Sequence, residues 1–269
     1  MNPTISPVGD SAISIEFGQV IDAKINQRIR QTVAGIESLH LEGIIEMVPT
    51  YCALLIQYDA LRYTYAELCR ILEPICTQPI QSDESELVTV VEIPTVYGGE
   101  FGPDLGFVAS HNHLTEADVV SIHSGTDYLV YMMGFIPGFT YLGGMDPRIA
   151  TPRLSSPRTH IPAGSVGIAG EQTGTYPSDS PGGWQIIGRT PLSMYDASRE
   201  EAALLKAGDY VRYVPIDESA FHCIKKLATS FKPVVGEVKV GGRRGGVGGF
   251  FMGGLMWGCG AGAPGAGGG

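Results

Sequence analysis

Hydrophobic and polar positions alternate from Ala12 to Phe17, where Ile13, Ile15 and Phe17 interleave with Ser14 and Glu16, the pattern of a strand with one buried face. The period then changes. Ile21, Ile25, Ile29, Val33 and Ile36 recur every three or four residues while Lys24, Gln27, Arg28 and Gln31 fall elsewhere, which predicts an amphipathic helix. Two further strands, Ile44 to Val48 and Ala53 to Tyr58, meet around Pro49. Thr64-Tyr-Ala-Glu67 then has the spacing of a capping box opening a second helix. Strand, helix, strand, strand, helix is most of a ferredoxin-like split βαβ unit, so a small α+β domain is expected over residues 1–80.

Gln78 to Glu86 (QPIQSDESE) is polar and acidic, and marks a linker placed at residues 81–87. Leu87 to Val96 reads as a strand, and Thr115 to Ser124 as one short helix opened by Thr115-x-x-Asp118. From there to Arg189, Gly and Pro recur every few residues (FIPGFTYLGG, IPAGSVGIAG, SPGGWQIIG), which disfavours long helices and favours short strands with tight turns. An all-β barrel or sandwich over residues 88–230 is the expectation. The segment 231–269 is so rich in glycine that it reads as a disordered tail, with no packed element expected beyond about residue 235.

The formal net charge of −10 argues against nucleic acid as a partner. It is unevenly spread. Residues 1–145 hold 5 Lys+Arg and 18 Asp+Glu, a balance of −13, whereas residues 146–235 hold 10 and 9. The later region is therefore locally more basic, as a site for a small anion should be. Five cysteines, with no Cys-x-x-Cys pair, suggest neither a disulfide framework nor a cysteine zinc site. Nothing before residue 240 resembles a membrane span, and the first 18 residues lack the basic and apolar regions of a signal peptide. A cytoplasmic protein with no membrane partner is expected.

Candidate chemistry concentrates late in the chain. There is no G-x-x-x-x-G-K-[ST] loop for a nucleotide, and Ala163-Gly-Ser-Val-Gly167 lacks the first glycine of a nucleophile elbow around Ser165. His111-Asn-His113 has a spacing that would suit two ligands on one side of a strand, but no third ligand accompanies it, so no metal is assigned. His123 reads either as part of the chemistry or as a hydrogen-bonding helix-end residue. Arg148, Arg153 and Arg158 recur every five residues with His160 beside them, and guanidinium forks suit carboxylate and phosphate oxygens; prolines at 147, 152 and 157 share the period, so a solvated turn-rich face is the alternative. The run Gly164 to Gly170 lets a backbone or a ligand approach closely. Gln172, Tyr176, Trp184, Gln185 and Arg189 then either line a polar pocket with an aromatic wall or surround a tryptophan packed on the barrel.

These residues carry a resemblance. GDSAISIEFG, PTYCALLIQYD, GFIPGFTYLGG and PRTHIPAGSVGIAGEQTGTYPSDSPGGWQIIGRTP are similar to the family of 5-oxoprolinase B subunits, also called the kinase A inhibitor or allophanate hydrolase subunit 1 family and related to the C/D part of a biotin-dependent carboxyltransferase domain. The resemblance covers roughly residues 5–225. It implies a ferredoxin-like α+β N-terminal domain followed by an all-β cyclophilin-like barrel. It also implies a hydrolase component, inactive alone, that works with 5-oxoprolinase A and C subunits to convert 5-oxo-L-proline to L-glutamate using ATP. Two alternatives come with it: an inhibitor of a sensor histidine kinase, and a component of a biotin-dependent urea or amide carboxyltransferase. Carried over by motif, Arg158, Gln172 and Tyr176 are the expected catalytic residues. Arg153, Gly164, Ser165, Trp184, Arg189, Phe139 and Tyr141 are the expected substrate-binding ones, and Gly138 and Pro162 are further matching positions.

Overall fold

The computed structural model describes residues 3–79, 87–227 and 235–239. The first unit opens with a hairpin of β1 (Thr4–Val8) and β2 (Ala12–Glu16), followed by α1 (Ala23–Ser38), β3 (Ile44–Pro49), β4 (Ala53–Tyr58) and α2 (Tyr65–Cys76). Its four strands run in the order β1-β2-β4-β3, antiparallel throughout, so β2-α1-β3 is a crossover split by β4. The sequence pattern placed every element here except β1. Ile13, Ile15, Leu54 and Ile56 on the sheet meet Ile29, Ile36, Leu68 and Leu72 on the helices in one dry layer. The capping box is present, with Thr64 and Glu67 each accepting the other's backbone N–H. The helix start differs from expectation: Asp22 accepts the N–H groups of Lys24 and Ile25, so α1 begins after it and Ile21 is left outside and exposed.

The second unit is a mixed sheet curled into a nearly closed barrel. Its elements are β5 (Leu87–Tyr97), α3 (Leu105–His111), α4 (Glu116–Ser124), β6 (Asp127–Met133), β7 (Thr140–Gly143), β8 (Arg158–Ile161), β9 (Ser165–Ala169), β10 (Gln172–Thr175), β11 (Ser180–Gly182), β12 (Gln185–Arg189), β13 (Tyr210–Pro215), α5 (Glu218–Lys226) and β14 (Val235–Lys239). The strand order is β10-β9-β12-β5-β13-β6-β7, and β10 lies beside β7, which brings the two ends of the sheet together. β13 runs parallel to β5 and the other pairings are antiparallel. β8 and β11 form a separate two-stranded ribbon. Inside the barrel, Ile93, Tyr128, Val130, Val166, Ile168, Val211 and Tyr213 pack with Leu105, Val108 and Val119 of α3 and α4.

Three features correct the reading of the chain. The second unit is not all-β, because its described residues include three α-helices, of which the pattern placed only α4. The Gly-rich context after residue 235 does not prevent a strand: β14 pairs with the first half of β5, whose edge β12 leaves free. His111 and His113 share no strand, since His111 ends α3 and His113 lies beyond it in a left-handed turn at φ 55°. Of the expected linker and tail, residues 81–86, 231–234 and 240–269 lie outside the described residues.

Candidate functional site

Gly167 of β9 and Gly174 of β10 face each other across the ladder. A Cβ on Gly167 would come within 3.2 Å of Trp184 Cβ, and one on Gly174 within 3.4 Å of Trp184 Cζ3. The two glycines leave a bare patch of sheet on which the indole lies, so this part of the glycine run accommodates a tryptophan rather than a ligand. Phe139, Tyr176, Ile161, Ala169 and Ile186 complete a buried cluster around it. Phe139 and Tyr176 meet Trp184 edge-on at centroid distances of 5.7 and 6.0 Å.

Arg153 lies on the outer side of this indole. Its guanidinium carbon is 5.9 Å from the ring centroid, and the side chain is exposed. The backbone on either side of it is tied down. The Pro152 carbonyl accepts from the Gln185 amide at 2.9 Å, and the Leu154 N–H donates to the Gly183 carbonyl at 2.7 Å. No carboxylate among the described residues lies within ion-pair distance of Arg153. Its two period-mates are already engaged. Arg148 pairs with Asp146 at 2.6 Å. Arg158 donates to Asp104 Oδ1 at 2.7 Å and to the Trp184 carbonyl at 3.4 Å, while Asp104 Oδ2 accepts the Ile186 N–H at 2.6 Å. Arg158 therefore fixes the entry into β12 and the position of Trp184, and its fork is taken.

Tyr176 is almost wholly buried. Burial raises its pKa, against the Arg153 charge, the hydrogen bond with the Trp184 backbone and the Arg158 charge, which lower it; the hydroxyl stays protonated as a wedge beneath the indole. Gly182 gives it room, since a Cβ there would overlap the Tyr176 hydroxyl. Gly164, at φ 80°, is where a Cβ would collide with the Thr190 carbonyl, so the close approach it permits is to another strand.

The remaining expected residues lie apart from Arg153. Ser165 is fully buried opposite Arg189 on β12, and among the described residues neither its hydroxyl nor Arg189 Nε has a hydrogen-bond partner. The Arg189 guanidinium carbon lies 5.8 Å from the Phe101 ring centroid. Gln172 donates at 2.9 Å to the hydroxyl of Tyr51 in the first unit, and Tyr141 meets the same Tyr51 ring at 6.0 Å. Both thus face the joint between the two units. His123 is a core residue: Thr173 Oγ donates to the Gly167 carbonyl at 3.0 Å, so it accepts from His123 Nε2 at 2.8 Å, leaving Nδ1 to accept from the Tyr97 hydroxyl at 2.8 Å. Burial pushes the His123 pKa down to about 3. Among the described residues no His, Cys, Asp and Glu group has the arrangement of a metal site, and no helix is long and apolar enough to cross a membrane.

Two residues that organise the site escaped the sequence reading. Asp104 had a signal, as a cap-type residue ahead of an apolar turn; Tyr51 lies within the PTYCALLIQYD motif, but nothing in its local pattern ties it to the barrel.

Comparison with known proteins agrees with the motif resemblance. The family model for the carboxyltransferase domain, subdomain C and D, matches residues 3–205. The 5-oxoprolinase B subunit of Bacillus subtilis is 44% identical over 236 residues, covering 82% of this chain and 96% of that protein. The protein of the same description from Escherichia coli O157:H7 is 55% identical over 128 residues, which span 48% of this chain and 59% of the relative. The crystal structure of the K. lactis urea amidolyase shares the fold, with a TM-score of 0.72 at 24% identity over 88% of this chain and 16% of that one. By sequence and fold together, the chain belongs to the carboxyltransferase subdomain C and D family, among the 5-oxoprolinase B subunits.

Proposed function

We propose that this chain is one component of an ATP-dependent amide hydrolase that opens the lactam of 5-oxo-L-proline to L-glutamate, inactive alone and working with 5-oxoprolinase A and C subunits. The observation that carries the reading is the Arg153 guanidinium, held in place over Trp184 and facing solvent with no acid beside it among the described residues. A planar fork in that state suits a carboxylate, which 5-oxoproline carries next to its lactam ring. In this reading Arg153 binds that carboxylate, Trp184 forms the floor, and Arg158 and Tyr176 hold the floor in position. The Bacillus subtilis relative, matched over nearly its full length, supports the same substrate.

A lactam in a five-membered ring is a poor electrophile, and phosphorylation of its carbonyl oxygen by ATP would make water attack feasible. The chain has no Walker-type loop, so ATP is assigned to the complex and not to this component. The fold is read at finer grain as ferredoxin-like followed by cyclophilin-like, which the split crossover of the first unit and the curled sheet of the second support. A cytoplasmic location fits five cysteines that contain no Cys-x-x-Cys pair.

The test is co-expression with the neighbouring homologues of the A and C subunits and an assay of ATP-dependent glutamate formation. Activity is expected only when all three are present. Glutamate formation no greater than in the mixture lacking this chain would overturn the proposal. The carboxyltransferase description of the family favours a second reading, transfer of a carboxyl group from biotin to a urea-like amide. Labelled bicarbonate incorporation into urea with a biotin carboxylase partner separates the two.

A further inference from the structure

Tyr51 lies in the turn between β3 and β4, at the tip of a hairpin of the first unit, yet its partners belong to the barrel. Its hydroxyl accepts from Gln172 at the start of β10. Its ring meets Tyr131 of β6 at 5.4 Å and Tyr141 of β7 at 6.0 Å. β10 and β7 are the two ends of the curled sheet, so this one side chain spans the seam where the barrel closes. Burial there pushes its pKa up to about 12, so the hydroxyl is neutral at any physiological pH.

The seam also leads to the anion site. Tyr141 packs edge-on against Phe139 at 5.2 Å, Phe139 against Trp184 at 5.7 Å, and Arg153 lies over Trp184 at 5.9 Å. On the facing strand, a Cβ on Gly174 would touch the Thr140 carbonyl, Trp184 and Phe139 at once, so the spacing of β7 and β10 sets how deeply the indole sits. The rings form one unbroken packed series from the first unit to Arg153. Close-packed interiors transmit a displacement of this kind because no void takes it up.

We propose that Tyr51 is a positioning residue: the first unit uses it to clamp the β7–β10 seam, and through Tyr141 and Phe139 it fixes the indole on which Arg153 presents its guanidinium. This rests on the reading of Arg153 as the substrate's carboxylate site, whereas the clamp on Trp184 can be measured without that reading.

The chain has two tryptophans, Trp184 and Trp257, so Trp257→Phe leaves Trp184 as the sole reporter. In that background Tyr51→Ala is expected to shift the Trp184 emission to the red and increase its quenching by acrylamide. Tyr51→Phe, which keeps the ring against Tyr141 but loses the bond to Gln172 on β10, is expected to recover part of the parent signal. Asn26→Ala serves as the control, because it removes a different bond of the same joint, the 2.9 Å contact to the Tyr131 carbonyl. In the reconstituted complex, Tyr51→Ala should raise KM for 5-oxoproline about threefold or more with kcat little changed. An unchanged Trp184 signal in Tyr51→Ala overturns the proposal, as does an equal change in Asn26→Ala, which would mean that the joint had merely loosened. If Tyr51→Ala does not fold, Tyr51→Leu is judged by the same criteria. A complex that is inactive even with the unaltered chain removes the functional reading, while the Trp184 comparison still decides the clamp.

Discussion

His123 makes a prediction that can be worked to a magnitude. The imidazole is completely buried with both ring nitrogens engaged, Nε2 donating to Thr173 and Nδ1 accepting from Tyr97, an arrangement that only the neutral ring satisfies. Its pKa is about 3 in the folded protein and 6.5 in a free side chain. Between those values the unfolded chain binds a proton that the folded protein does not, so stability falls as pH falls below about 6.5. At pH 5 the loss from this residue alone is about 2 kcal/mol, from 1.36 kcal/mol per unit over roughly 1.5 units. The assay is urea unfolding of the parent and His123→Gln at pH 7.5 and pH 5.0. Both proteins share every other titrating group, so the difference between them isolates this one. At pH 7.5 the variant should be the less stable by about 1–3 kcal/mol, because it strands buried hydrogen-bonding groups. At pH 5.0 the gap should close by about 2 kcal/mol. A gap that is the same at both pH values, within roughly 0.5 kcal/mol, would show that His123 titrates alike in the folded and unfolded chains and would refute the argument.

Arg153 and Arg158 should part company on substitution. Arg153→Ala is expected to leave the melting temperature nearly unchanged and to raise KM for 5-oxoproline in the complex about tenfold or more, the scale of one charge-assisted hydrogen bond. Arg158→Ala leaves the Asp104 carboxylate, 11% exposed, without its cation; because the Arg158 side chain is 33% exposed, the cost is set at about 2 kcal/mol, below that of a fully buried pair, and is read by thermal or urea unfolding. Gly167→Val should drive the indole off the sheet, losing about 1–3 kcal/mol of stability and moving Trp184 emission to the red. Thr64→Ala removes the capping box of α2 and should cost about 1 kcal/mol in the same unfolding assay, with Trp184 emission unaffected.

The first unit was legible because its signals are local. Alternation marks Ile13 and Ile15, helical spacing marks Ile29 and Ile36, and Thr64 and Glu67 lie three residues apart. The barrel was legible only as short strands with turns. Its closure depends on pairings such as β5 with β13, Val90 to Thr95 against Tyr210 to Pro215, which leave no mark within either segment. β14 is the sharpest instance. Five residues in a glycine-rich stretch become a strand because the first half of β5 has an open edge, so tertiary context overrides composition.

The same distinction between local and distant governs the site. Phe139, Tyr176 and Trp184, all within the motif-rich stretch, pack in one cluster. The motif could not assign the cations. Arg153 and Arg158 are the same residue type, five positions apart, each after a proline. What separates them is Asp104, which comes 54 residues before Arg158 and commits one guanidinium to structure. Gln172 donates to Tyr51 at a separation of 121 residues, which places its amide at the joint between the two units. The near balance of charge over residues 146–235 conceals this sorting as well. Arg148, Arg158, Arg199 and Arg212 are each matched with an acid in space; among the described residues Arg153 and Arg189 are not, and of these two Arg189 has its Nε buried beside Phe101 whereas Arg153 faces solvent. A candidate anion site is therefore marked by a cation that the fold leaves both unmatched and exposed on a packed support, a property of pairings across the chain that segment charge cannot express.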